Sequence, residues 1–299
     1  MRYLLYDVFT STPLLGNQLA VFVDARGLGV PRMQAIAREM NLSESTFVLP
    51  AEEAGTDVRM RIFTPATELP MAGHPTIGSA FALADLGVIA QGRARFVFGL
   101  NIGPVAVDLE WEGSRLRFAW MTQLVPSFGS VVTERAAVAD ALALSSEALA
   151  PELPVQQVSC GVPYLLVPLR DREAVDRASS DAAAFRQLRA ATGIDLPIFL
   201  FAVTGGPGET AYSRMFAPEF SIVEDPATGS ASGPLGCYLV EHGVVHEETA
   251  RHIVSAQGVA MGRASRIHIE ITGGQGAITR VRVGGEAVLV GRGELTFDS

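Results

Sequence analysis

Two short segments, His74 to Ala80 (H-P-T-I-G-S-A) and Asp225 to Ala231 (D-P-A-T-G-S-A), repeat one another about half a chain apart. A repeat on that scale constrains the fold more than any local pattern, because each copy must build a similar supersecondary unit. F-T-P (Phe63 to Pro65) precedes the first copy and F-A-P (Phe216 to Pro218) the second, at an offset of 153 against 151 for the motif itself. Upstream, G-N-Q-L-A-V-F-V from Gly16 and G-V-P-Y-L-L-V-P from Gly161 match loosely at an offset of 145. Offsets that drift by a few residues are what a duplication with small insertions leaves. The boundary is expected near residues 120 to 130, giving domains 1–124 and 125–299, with the last strand free to pack back on the first domain.

A chain of 299 residues with 48% hydrophobic content has enough apolar material for two ordinary cores. Short Val/Ile/Leu/Phe runs punctuated by Gly, Pro and Asn predict strands at Tyr3 to Val8, Leu19 to Val23, Thr46 to Leu49, Val58 to Phe63, Phe96 to Phe98, Val105 to Trp111 and Arg115 to Trp120. W-E-G-S is read as a hairpin turn. A helix is expected from about Pro31 to Asn41, and a buried, nearly all-apolar one after His74 that stops at Gly87. The second half repeats the plan: strands at Gln156 to Ser159 and Tyr164 to Pro168, helices near Arg172 to Arg177 and Ala183 to Ala191, and strands to Phe216. A second buried helix, locally weakened by Gly233-Pro234, should run to Gly243, before strands near Ile253, Ile267 to Ile271, Ile278 to Val283 and Ala287 to Leu295.

The net charge of -9 and the scatter of the 23 basic residues argue against a nucleic-acid partner. No apolar run approaches membrane-spanning length, and the first ten residues are too short an apolar stretch for a signal-peptide core, so a cytoplasmic protein is expected. Cys160 and Cys237 are too few and too far apart in sequence for a disulfide framework or a thiolate metal cluster, and are read as small core residues. His242 and His246 stand near three carboxylates, but Gly243 interrupts the helix that would align them, so no metal site is expected. G-G-P-G (Gly205 to Gly208) and G-G-Q-G (Gly273 to Gly276) lack a following helix and Lys, and read as turns.

At each repeated motif a proline and a G-S-A step are expected to open a helix whose first amides are free to bind an anion, so two such ends facing one cleft would hold a small carboxylic acid. His74 and Asp225 occupy matched motif positions, and imidazole and carboxylate are acid–base groups. Glu44, in N-L-S-E-S-T-F-V, is a third candidate, since desolvation raises a carboxyl's proton affinity toward a useful range. Asp225 equally suits a helix cap. Taken singly, His74 suits a structural histidine and Glu44 a solvated carboxylate; their paired placement favours chemistry.

D-V-F-T-S-T-P-L-L-G-N, N-L-S-E-S-T-F-V-L-P, R-I-F-T-P-A-T-E-L-P-M-A-G-H-P-T-I-G and E-D-P-A-T-G-S-A-S-G-P-L-G, in that order, resemble the PhzF (phenazine biosynthesis-like) isomerase family. The resemblance implies an α+β, diaminopimelate-epimerase-like fold: two duplicated β-rich domains, each a mixed or antiparallel sheet around a central helix, with the active site in the interdomain cleft and commonly a homodimer. It implies that Glu44 is the proton-shuttling residue, that His74 and Asp225 line the same pocket, and that Gly73 and Ser230, with Thr76 and Gly229 beside them, contact substrate. Two departures are Gln18, where the family usually has proline, and Met71, where it usually has an aromatic residue. Racemases of the fold use a pair of cysteines, and neither motif here carries one.

The expectation is therefore an isomerase without a cofactor or metal that moves a proton on a small, cyclic or unsaturated, carboxylic acid. Two other readings stay open at this stage: a lyase or hydrolase acting through the same carbanion, and a small-acid binding protein without turnover.

Overall fold

The computed structural model describes residues 1–206, 208–218 and 222–296. The chain divides into two compact units, Met1–Thr122 with Gly284–Ser299, and Gln123–Val283.

The first unit contains β1 (Arg2–Val8), β2 (Asn17–Phe22), α1 (Val30–Met40), β3 (Glu44–Pro50), β4 (Val58–Phe63), β5 (Glu68–Leu69), α2 (Gly73–Asp85), β6 (Arg95–Leu100), β7 (Gly103–Glu112) and β8 (Arg115–Gln123). The second contains β9 (Ser127–Val132), α3 (Arg135–Ala141), β10 (Val155–Ser159), β11 (Pro163–Leu169), α4 (Arg172–Arg177), α5 (Ala182–Thr192), β12 (Ile198–Gly206), β13 (Glu209–Ala217), β14 (Ile222–Asp225), α6 (Gly229–Glu241), β15 (Ile253–Gln257), β16 (Ser265–Thr272) and β17 (Arg280–Gly285). β18 (Ala287–Glu294) then pairs antiparallel with β1, so the last strand belongs to the first unit.

The two sheets have one plan. In the first the order is β18-β1-β2-β3-β4-β6-β7-β8, with β2–β3 and β4–β6 parallel and the rest antiparallel. In the second it is β9-β10-β11-β12-β13-β15-β16-β17, with β11–β12 and β13–β15 parallel. Parallel neighbours need a crossover, and the four crossovers contain α1, α2, α4 with α5, and α6.

α2 and α6 are the helices the sheets wrap. Nearly every residue from Gly73 to Leu83 and from Gly229 to Val240 is buried, with Ser230 the half-buried exception. Such helices need backbone-close packing: a Cβ at Gly78 would lie 2.6 Å from Leu19 Cδ2 and 2.7 Å from Val8 Cγ2. α6 is continuous through Pro234, against the sequence expectation of a local weakness. The cost of an interior proline, about 3 kcal/mol for the lost backbone hydrogen bond and the ring's crowding of the preceding turn, is offset by the burial of Leu235, Tyr238, Leu239 and Val240 in one apolar cluster. On the outer face of the first unit α1 packs Met33, Ile36 and Ala37 on Phe22, Phe47 and Phe63. Phe22 and Phe47 stack at 4.9 Å and Phe63 meets Phe47 edge-on at 5.5 Å.

Cys160 and Cys237 are both free and buried, as small core residues are, but their sulfurs lie 3.7 Å apart. Their distance in sequence did not translate into distance in space, because β10 and α6 pack within one cluster. The Gly205-to-Gly208 turn includes Pro207, which lies outside the described residues. Among the described residues no helix is long and apolar enough to cross a membrane.

Candidate active site

Three motifs of the first unit meet around His74. The β1–β2 loop is tied down by Asp7, whose Oδ2 accepts from the Leu14 amide at 2.6 Å. It ends at Gly16, held at φ +73 where a Cβ would meet the Val8 carbonyl at 2.4 Å. Only glycine fits there, and the turn delivers Asn17 onto the first position of β2, fully buried. β3 runs parallel to β2 with Glu44 opposite Leu19, which brings Ser43 and Glu44 beside Asn17. Ser43 Oγ donates to Asn17 Oδ1 at 3.0 Å, and Asn17 Nδ2 lies 3.2 Å from His74 Nδ1.

His74 is the second residue of α2, and its Nε2 lies 3.3 Å from Glu44 Oε2. Both side chains are buried. Burial pushes the His74 pKa down from 6.5 to about 3, against a smaller opposing effect of a backbone hydrogen bond with Gln18, so the imidazole is neutral near pH 7. The pair is thus a neutral ring against a carboxyl group in a poorly hydrated setting, and proton affinities there follow from the few groups in contact. Gly73 opens the helix after Ala72, whose side chain makes no cap, so the first-turn amides have no capping side chain. The Thr76 hydroxyl donates back to the Ala72 carbonyl at 2.7 Å.

In the second unit Asp225 ends β14 and Thr228 precedes α6. Asp225 Oδ2 accepts from Thr228 Oγ1 at 2.6 Å, and Gln257 Nε2 donates to Thr228 Oγ1 at 2.9 Å and to the Asp225 carbonyl at 2.8 Å. Gly229 begins α6, again with no side-chain cap, and its carbonyl accepts from Gln123 Nε2 at 2.9 Å. Ser230 Oγ lies 2.7 Å from the Tyr164 hydroxyl. Asn17, Ser43, Gln257 and Tyr164 received no role from the sequence; Asn17 stood in a quoted motif, but only the strand register places it on His74. His242 Nε2 is 2.9 Å from Gln156 Oε1, and its ring packs on Tyr238 at 4.3 Å.

The structure corrects the matching of the two motifs. Helices α2 and α6 both run 13 residues and align from Gly73 to Gly229, an offset of 156 rather than 151. Details beyond the start agree: Thr76 and Ser232 both donate to the carbonyl four residues back, and Gly87 and Gly243 follow both helices at φ +73 and +68. His74 therefore corresponds to Ser230. Asp225 corresponds to Leu69, since Leu69 pairs with Ile62 as Asp225 pairs with Met215. Glu44 corresponds to Pro197, because Ser45 pairs with Phe63 as Ile198 pairs with Phe216. Asp225 lies four residues before its helix, not at its start. The G-S-A steps coincided by composition, since any close-packed helix selects small residues.

Comparison with known proteins assigns the chain. The sheet plan recurs in a probable proline racemase of Agrobacterium radiobacter, with a TM-score of 0.66 over 99% of this chain and 93% of that one, at 12% identity. That defines the fold class as diaminopimelate-epimerase-like. The family model for phenazine biosynthesis-like proteins matches residues 6–293. The chain is 38% identical over 296 residues, 99% of each chain, to trans-2,3-dihydro-3-hydroxyanthranilate isomerase of Pseudomonas fluorescens. It is 36% identical to the isomerase of the same name from Pseudomonas aeruginosa, over 98% of each chain. The crystal structure of a PhzF-family phenazine biosynthesis protein of Bacillus anthracis superposes with a TM-score of 0.88 over 99% of each chain, at 26% identity. The chain belongs to the PhzF family and is an isomerase.

Proposed function

We propose that this isomerase moves a proton along a small, cyclic, unsaturated carboxylic acid by carboxylate acid–base catalysis, with Glu44 as the group that removes and returns it. The observation that carries the reading is the buried Glu44 carboxyl held 3.3 Å from His74, a ring kept neutral by its burial. A carboxyl in such a setting can alternate between base and acid without an external proton donor. The similarity to enzymes named trans-2,3-dihydro-3-hydroxyanthranilate isomerase supports that compound, or a close cyclic amino acid, as substrate. His74 tunes the proton affinity of Glu44. The amides opening at Gly73 and Gly229 and the Ser230 hydroxyl bind substrate polar groups, and Asp225, held by Thr228 and Gln257, orients the substrate. Thr76 serves by stiffening the first turn of its helix. The protein's own groups carry the reaction, with no cofactor.

The test is turnover of trans-2,3-dihydro-3-hydroxyanthranilate in deuterium oxide, read by mass spectrometry and NMR. The expected product has the substrate's heavy-atom composition, with deuterium entering at the carbon that gains hydrogen. Loss of water or ammonia would make the protein a lyase, and binding without exchange or turnover would make it a binding protein for this compound.

A further inference from the structure

We infer that Asn17 is a positioning residue that holds the His74 ring in the tautomer with its proton on Nε2, directed at Glu44. The tautomer rests on geometry; its catalytic consequence rests on the reading of Glu44 as proton carrier.

A side-chain amide has a donor end and an acceptor end, and the structure turns the acceptor end to Ser43 and the donor end to His74. The Ser43 hydroxyl donates to Asn17 Oδ1 at 3.0 Å, and this leaves Nδ2, a donor only, facing His74 Nδ1 at 3.2 Å. A donor facing Nδ1 requires a lone pair there. A neutral imidazole has one N–H, so that hydrogen lies on Nε2. This nitrogen is buried, has no aligned hydrogen-bond partner among the described residues, and approaches Glu44 Oε2 to 3.3 Å.

The tautomer decides what Glu44 faces. An N–H on Nε2 favours the ionised carboxylate, the form that can accept a proton; a lone pair there would oppose the carboxylate and favour its protonated form. Ser43 immediately precedes Glu44 on the same segment, so one stretch of chain supplies both the proton carrier and the group that orients its partner's partner. The Gln18 backbone competes for the ring proton, since its hydrogen bond favours an N–H on whichever ring nitrogen meets it, and Asn17 is what opposes placing that proton on Nδ1.

The experiment uses full-length protein labelled with 15N at its five histidines, with the His74 signals identified by their loss in His74→Gln. Long-range proton–nitrogen correlation distinguishes the two neutral tautomers. The parent is expected to show His74 protonated on Nε2 at pH 7. Asn17→Asp presents an acceptor to Nδ1 and should move the proton there, lowering kcat on trans-2,3-dihydro-3-hydroxyanthranilate by about 10- to 100-fold, up to the scale that misplaced catalytic geometry costs, with little change in KM. Ser43→Ala, a small change at a half-buried position, should give a mixture of tautomers and a smaller loss. A parent protonated on Nδ1 overturns the inference whatever the activity shows, as does Asn17→Asp shifting the tautomer without loss of kcat. Glu44→Gln with undiminished turnover and an unchanged Nε2–H signal would instead sink the reading of Glu44 and leave the tautomer standing.

Discussion

His74 carries a pH signature that its environment dictates. Its folded pKa, about 3, is below the ordinary 6.5, so the unfolded chain binds a proton more readily through the window between those values. The contribution of neutral, buried His74 to stability is therefore fully present above pH 6.5 and is lost as pH falls toward 3. Between pH 7 and 4.5 this single group should cost about 2 to 3 kcal/mol of folding stability. Urea unfolding of the parent and of His74→Gln at both pH values checks it: the parent should lose that much more than the variant. Equal losses would show that His74 titrates normally. Glu44 and His74 stood out in sequence through the L-S-E-S-T and A-G-H-P motifs, and the structure brings the two side chains within 3.3 Å. The place of Asp225 was misread, since small residues recur wherever a helix is tightly packed and gave a false register. Asn17 was invisible as a functional residue because only the parallel pairing of β2 with β3 brings it to the ring.

At the scale of elements, each unit carries the same device on the hairpin strand that precedes its central helix. Arg61 Nε and Nη2 bond Glu68 at 2.7 and 2.6 Å, and Arg214 Nε and Nη2 bond Glu224 at 2.8 and 2.8 Å. The second clamp is more buried, 10% and 13% exposed against 21% and 19%, and Arg214 Nη1 also donates to the carbonyls of Val175, Asp176 and Ala178. Breaking a buried pair strands a charge. Arg214→Ala should therefore destabilise by about 3 kcal/mol or more and loosen β14, which ends in Asp225; Arg61→Ala should cost about 1 kcal/mol. Denaturant unfolding of the two variants measures the difference, and equal costs would contradict it. Gly78→Val should cost about 1 to 3 kcal/mol or more, since its new atoms would press on Leu19 and Val8; a melting temperature matching the parent's would rule that out. The core strands and the helices α1, α2, α4, α5 and α6 were readable from period and punctuation. α3 and β9 were not, because R-A-A-V-A-D-A is short and alanine-rich, and the S-F-G-S-V-V strand is mostly exposed and polar at its ends.

For the molecule as a whole, the duplication is complete in topology and absent in chemistry. Glu44, His74 and Asp225 correspond in the duplicated topology to Pro197, Ser230 and Leu69, so neither unit repeats the other's candidate acid–base groups. The first unit also depends on the end of the chain, because β18 pairs along β1 and Phe9 N donates to the Glu286 carbonyl at 2.8 Å. A fragment ending at Thr122 should therefore lack cooperative unfolding by circular dichroism, and adding residues 284–296 through a flexible linker should restore it. A stable fragment without them would show β18 to be dispensable. The central claim, that Glu44 carries the proton, is tested most directly by single-turnover kinetics of Glu44→Gln on trans-2,3-dihydro-3-hydroxyanthranilate, with substrate affinity measured on the same preparation. The account predicts a rate lower by about 100- to 10,000-fold, the usual worth of a positioned acid–base group, with affinity close to the parent's. Turnover at the parental rate by a folded, substrate-binding Glu44→Gln protein would contradict it.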